Sequence, residues 1–179
     1  MLGGRLRAAR RARGLTLRAL AQSAGVTESF LSQVERDVSS PSIASLQRIC
    51  RALGASIGEL LDGAPAAGRL VRSRDRRTIH YPGLNARDEF LTPDVHGRLQ
   101  VILSTIGVGG GTGPESYSHD SDEECVIVLE GAIDLWVGVE HHVLGEGDAI
   151  TFPSRIPHRN ANRGDGPAKV LFCLTPPSF

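Results

Sequence analysis

The sequence predicts a multidomain chain: an N-terminal all-α bundle of five short helices, then a C-terminal all-β domain, an antiparallel sandwich or barrel. Three observations predict it. Up to residue 62, apolar residues recur at three- and four-residue spacing. Beyond residue 78, short apolar runs are punctuated by Gly, Pro, Asp and Asn at roughly ten-residue intervals. The formal net charge of zero also divides into two halves of opposite sign. Residues 1–77 carry 14 Lys/Arg and 6 Asp/Glu, and residues 78–179 carry 6 and 14. Such asymmetry marks modules with different partners.

The helices follow from stripes and caps. Leu2, Leu6, Ala9 and Ala12 make the first stripe, with Gly14 as its stop. Leu17, Leu20, Ala21 and Ala24 make the second, capped by Thr16 and ended by Gly25. Thr27 caps a third helix reaching about Arg36, with Phe30, Leu31 and Val34 apolar. Ser42 caps a fourth carrying Ile43, Leu46, Ile49, Cys50 and Leu53, and Gly54 ends it. Ser56 begins a fifth with Ile57, Leu60 and Leu61. Domain boundaries are expected at 1–62 for the helices, 63–77 for a basic linker and 78–179 for the strands. Within the linker, GAPAAG breaks helices, and LVRSRDRR forms either a first strand or a basic extension. Later runs such as LQVILSTIGV, ECVIVLE, AIDLWVG and AKVLFCL read as strands. Glu130-Gly131 and Gly145-x-Gly147-Asp148 read as hairpin turns between them.

Composition excludes several classes. No apolar run approaches the roughly 18 residues a membrane span needs, and the first residues lack the apolar core of a signal peptide. Cys50, Cys125 and Cys173 form no CxxC pair, and the odd count argues against a disulfide framework. They read as small buried hydrophobes in a cytoplasmic protein.

The segment TLRALAQSAGVTESFLSQVERDVSSPSIASLQRICRALG resembles the helix-turn-helix of phage-repressor-like (XRE-family) DNA-binding domains. Leu17, Leu20-Ala21, Ala24-Gly25-Val26, Phe30-Leu31-Ser32, Val34-Glu35 and Pro41-Ser42 carry the likeness, which extends over residues 5–62. The resemblance implies that the third helix enters the major groove of a double-stranded operator. Glu28, Ser29, Ser32 and Gln33 would then lie near base edges, Gln33 being the best reader because its amide pairs bidentately with adenine. Thr27, Arg36, Arg11 and Arg18 would meet phosphate. The family pattern also implies an internal Arg10–Glu35 ion pair. Asp37 departs from that pattern, standing where Gly or Asn is common.

The second half resembles a cupin, a small antiparallel barrel. One motif runs from Gly111 through Tyr117-Ser118-His119 and Glu124 to Gly131, and the other from Gly147 through Pro153 and His158 to Asn162. Metal-binding cupins use two His and a Glu from the first motif and a His from the second. Here Tyr117 takes the first His position, and His119, Glu124 and His158 remain as the implied metal ligands. Two imidazoles and a carboxylate suit a divalent ion, with Zn, Fe, Mn and Ni indistinguishable. Tyr117 and Arg155 are placed beside the ligand pocket. Trp136 and Phe152 read as wall and core.

Together the two resemblances imply a homodimeric transcriptional regulator whose barrel senses a small molecule or metal ion. An alternative is a mononuclear non-haem iron cupin enzyme, epoxidase- or oxygenase-like, with an accessory helical domain.

Overall fold

The structure is a computed structural model, described over residues 2–55, 57, 70–93 and 97–178. Its helical part comprises α1 (Leu2–Ala12), α2 (Leu17–Ala24), α3 (Glu28–Glu35) and α4 (Ile43–Leu53). Four α-helices stand among the described residues, not five. The fifth, expected from Ser56, falls almost wholly outside them, and so does the GAPAAG linker. Ile57 alone of that segment is described, and it is buried.

The predicted caps are the observed ones. Thr16, Thr27 and Ser42 each accept a hydrogen bond from the backbone N–H three residues ahead, and Gly25 and Gly54 close α2 and α4 in the left-handed conformation. α1 crosses α3 closely at Gly3, where a Cβ would stand 2.2 Å from the Val34 carbonyl oxygen. Asp37 serves this crossing. It adopts a φ of 56°, which Asp tolerates better than most residues, and its Oδ1 accepts the Gly3 N–H at 2.8 Å. The expected ion pair is present. Arg10 donates to both carboxylate oxygens of Glu35 at 2.6 and 2.8 Å and to the Leu15 carbonyl at 2.7 Å, with both side chains buried.

Among the described residues nine strands form the barrel: β1 (Arg77–Tyr81), β2 (Ala86–Phe90), β3 (Gln100–Ile106), β4 (Glu123–Glu130), β5 (Ala132–Val137), β6 (Glu140–Gly145), β7 (Ala149–Phe152), β8 (His158–Ala161) and β9 (Ala168–Thr175). Of the basic stretch LVRSRDRR, Ser73–Asp75 form a single 3₁₀ turn and only Arg77 enters a strand. The six-stranded sheet has the order β1-β2-β3-β9-β4-β7 and the three-stranded sheet β6-β5-β8, with every named pairing antiparallel. Side chains alternate as the pleat requires, and in β3 Gln100, Ile102, Ser104 and Ile106 all point inward.

The two expected hairpin turns are corners instead. β4 pairs with β7 and β9, whereas β5 pairs with β6 and β8, so Gly131 carries the chain from one sheet to the other. Gly145–Asp148 likewise carries it back, from β6 to β7. A true two-residue hairpin occurs at Gly138-Val139, between β5 and β6. Cys50 is buried as expected, but Cys125 and Cys173 face each other across β4 and β9 on the outer side of the large sheet and are only half-buried.

The helices sit on the barrel. One continuous apolar cluster joins Ile43, Leu46, Ile49, Cys50 and Leu53 of α4 to Ile79, Tyr81, Phe90, Ile102, Tyr117 and Leu174 of the barrel. Polar contacts pin the same joint. The Ile43 N–H donates to the Thr112 carbonyl at 3.1 Å, the Gly83 N–H to Ser40 Oγ at 2.8 Å, and Arg48 pairs with Glu115 at 3.1 Å. The approach is tight enough that a Cβ at Gly113 would stand 2.8 Å from the Ser42 Cβ, and one at Gly83 2.7 Å from the Ser40 Cβ.

Candidate functional site

Between the sheets lies a cavity of about 40 Å³, roofed by Ile43 of α4 and lined by Asp88, Ser104, Tyr117, His119, Glu124 and Asn160 among others. That volume holds a few water molecules, or an ion with its waters. Inward register positions bring the polar groups there. Glu124 is the inward residue of β4 opposite Leu174 and Phe152, and Asp88 faces Ser104 across β2 and β3. His158 opens β8 and exchanges two backbone hydrogen bonds with Tyr117, at 2.8 and 2.9 Å.

The three predicted ligands meet. One donor atom from each of His119, Glu124 and His158 can be chosen so that all lie within 4.8 Å of one another. Glu124 Oε2 is 3.3 Å from His158 Nε2 and 3.7 Å from His119 Nε2. Glu124 Oε2 and His158 Nε2 are buried with no hydrogen-bond partner, a cost that an ion would relieve. His158 Nδ1 lies 2.8 Å from the Ile156 carbonyl, so it must carry the proton and leave the Nε2 lone pair turned inward. Electrostatics agree. Burial pushes Glu124 up to about 8, and burial with the nearby charge of His158 pushes His119 down to about 3. Burial also lowers His158. A divalent cation would favour ionised Glu124 and neutral imidazoles together. The donor set thus fits a metal ion and could hold one.

Tyr117 lies against both imidazoles, its ring centroid 5.0 Å from that of His119 and 4.5 Å from that of His158. Burial, reinforced by Glu124, raises its phenol well above the usual value, so it keeps its proton and offers an O–H. Arg155 is not beside the cavity. It is exposed and lies 3.6 Å from Asp122 at the surface. Trp136 is not cavity wall either. It lies on the outer side of the small sheet, stacked with His141 and covered by Arg159 at 3.5 Å. Phe152 is buried against His158, at a centroid distance of 5.0 Å.

Sequence reasoning missed Asp88, Ser104 and Asn160 inside the cavity and Gln47 in the adjoining cleft on the other side of His119. Gln47 Nε2, from α4, lies 3.3 Å from His119 Nδ1. Alternation along β2 and β3 could have placed Asp88 and Ser104 inward, but no local pattern marks Gln47.

The residues expected near DNA sit at or near the surface. Thr27, Glu28, Ser29, Arg36, Arg11 and Arg18 are exposed, and Ser32 and Gln33 are half-buried on the same short helix. Arg36 Nε donates to the Ser32 carbonyl at 3.2 Å.

Comparisons with known proteins fall on the same two parts. The Helix-turn-helix family matches residues 6–60 and the Cupin domain family residues 102–174, together more than half the chain. The chain is 29% identical to the HTH-type transcriptional regulator PuuR of Escherichia coli, over 99% of this chain and 96% of the relative. A transcriptional regulator of the helix-turn-helix family from Vibrio cholerae superposes with a TM-score of 0.66 at 26% identity, covering 97% of this chain and 94% of that one. HppE, solved as the iron(II) form, shares the fold at 21% identity, with a TM-score of 0.51 and 97% of each chain covered. The chain thus carries an XRE-type helix-turn-helix domain followed by a cupin domain, and over nearly its whole length it is similar to HTH-type transcriptional regulators.

Proposed function

We propose that this chain is a cytoplasmic, homodimeric, sequence-specific DNA-binding regulator of transcription whose cupin cavity senses a divalent metal ion or a small molecule. One observation carries the proposal: α3 keeps Glu28, Ser29, Ser32 and Gln33 in or near solvent, while the next helix, α4, roofs the cavity with Ile43. The DNA-facing and ligand-facing surfaces therefore belong to neighbouring helices of one small bundle.

On DNA, Gln33 reads a base edge, and Arg11, Arg18, Arg36 and Thr27 meet phosphate. At the barrel, His119, Glu124 and His158 hold the ion. Bound there, a divalent cation would supply positive charge to a buried carboxylate and open coordination positions for an effector. Tyr117 and Asn160 then orient what enters: Tyr117 offers its O–H, and Asn160 Oδ1 is buried with no hydrogen-bond partner. Two half-sites need two copies. The outer face of the large sheet supports a dimer, since Val101, Leu103, Ile127 and Leu171 lie together there, half-buried, with Leu129 exposed. No described helix is long and apolar enough to cross a membrane. An enzyme reading has less support, because HppE shares the fold alone at 21% identity.

Fluorescence anisotropy with duplex DNA from upstream of its own gene tests the DNA half. Gln33→Ala should weaken specific binding by about 1–3 kcal/mol, and Arg36→Ala should flatten the salt dependence. Absence of binding to any duplex at low salt rejects the regulator. Elemental analysis of untagged protein tests the metal half and names the ion. His119→Ala and His158→Ala should each lose it, and unchanged content in both variants rejects the site.

A further inference from the structure

The two imidazoles of the candidate metal site are oriented from different places. His158 is fixed through Nδ1 by the Ile156 carbonyl, two residues away on its own segment. His119 Nδ1 instead faces Gln47, 72 residues away on α4 of the helical module. His119 is also the wall between two spaces. It lines the barrel cavity, and with Gln47, Cys50, Arg51, Ser118 and Asp120 it lines an outer cleft of about 210 Å³. α4 itself is anchored to the barrel at Ile43–Thr112 and Arg48–Glu115.

We propose that Gln47 is the positioning residue for His119, so that filling the cupin site and holding α4 of the DNA-binding module are one linked event. The proposal rests on reading His119, Glu124 and His158 as a metal site. An imidazole that gives one nitrogen to a cation carries its proton on the other, and an acceptor there holds the ring in place. A glutamine amide can serve both states of the ring. Its NH₂ donates to Nδ1 when the ring proton is on Nε2, and its oxygen accepts from Nδ1–H when Nε2 is engaged. Gln47 comes from α4, which both roofs the cavity with Ile43 and follows the recognition helix. By linkage, whatever factor an ion changes in the DNA affinity, DNA changes equally in the affinity for that ion.

Zn²⁺ and Mn²⁺ titrations of the full chain test this. Gln47→Leu, which can neither donate nor accept, should bind both ions about 10–100-fold more weakly. Gln47→Glu, an acceptor when ionised, should restore binding to wild-type strength or better. Hydrogen exchange should show α4 amides changing protection when either ion is added to the wild type, and no such change in Gln47→Leu. Should Gln47→Leu fail to fold, the Gln47→Glu titration and the wild-type exchange experiment decide. An affinity within twofold of wild type in Gln47→Leu, binding more than tenfold weaker than wild type in Gln47→Glu, or an α4 indifferent to the ion overturns the role of Gln47 alone. A wild-type chain that binds neither ion, or binding that survives His119→Ala, overturns the metal site and this proposal with it.

Discussion

In the helical module the chain settles its own ends. Thr16, Thr27 and Ser42 each satisfy an amide three residues ahead, and Gly25 and Gly54 close α2 and α4. In the barrel almost nothing that matters is local. Asp88 of β2, Glu124 of β4, His158 of β8 and Gln47 of α4 come together only after the sheets have paired and the bundle has docked. The contrast teaches where each half is vulnerable. The bundle depends on a few pairs that lock short helices, and the cavity depends on register.

The largest expected effect breaks the bundle. Arg10–Glu35 is a buried bidentate pair, so Glu35→Ala leaves the guanidinium uncompensated. Denaturant unfolding should show a loss of about 3–5 kcal/mol. A loss below about 1 kcal/mol would mean that apolar packing alone holds α1 to α3.

The next effect belongs to the cavity and depends on pH. Burial raises Asp88 to about 6, against hydrogen bonds from Ser104 and Tyr81 that oppose the rise. Below pH 3.8 the carboxyl is protonated in both folded and unfolded states and costs nothing. As pH rises from 3.8 to about 6 the unfolded chain ionises while the folded one still holds its proton, so stability falls by up to about 3 kcal/mol and levels off once the folded carboxyl also ionises. Thermal melts of metal-free protein should show that decline between pH 4 and 7, and Asp88→Asn should remove it. Identical pH profiles for the two proteins would show that Asp88 is hydrated from the cavity.

The smallest effect sharpens the local side of the contrast. Thr16→Ala removes one cap from α2 and should cost about 1 kcal/mol, read by denaturant unfolding, with ion binding unaffected. A change in ion affinity would show that the bundle transmits even the fraying of α2 to the barrel.

This division also explains what the sequence revealed. Caps and stops were legible because each is a relation between residues three or four apart. His119, Glu124 and His158 were legible because the cupin motifs fix their spacing. Gly131 and Gly147 were misread because a glycine between two apolar runs looks the same whether the next strand returns beside its predecessor or crosses to the opposite sheet. Arg155 follows the same logic: its position in the motif was right, but its side chain turns outward to Asp122. Gln47 had no signal, since its polar side chain on an amphipathic helix reads as a solvated position until the barrel is in place.

The fit of Ser40 and Ser42 against Gly83 and Gly113 bears on how portable the helical module is. Regulators built of a DNA reader and a sensor invite exchange of parts, a new reader fused to an old barrel. Here the seam leaves no room for larger side chains on its barrel side. A grafted reader would need small residues at 40 and 42 and a hydrogen-bond acceptor at 47, whatever sequence its recognition helix carries. Swapping only the exposed face of α3 respects that seam, and it is the exchange this architecture should accept.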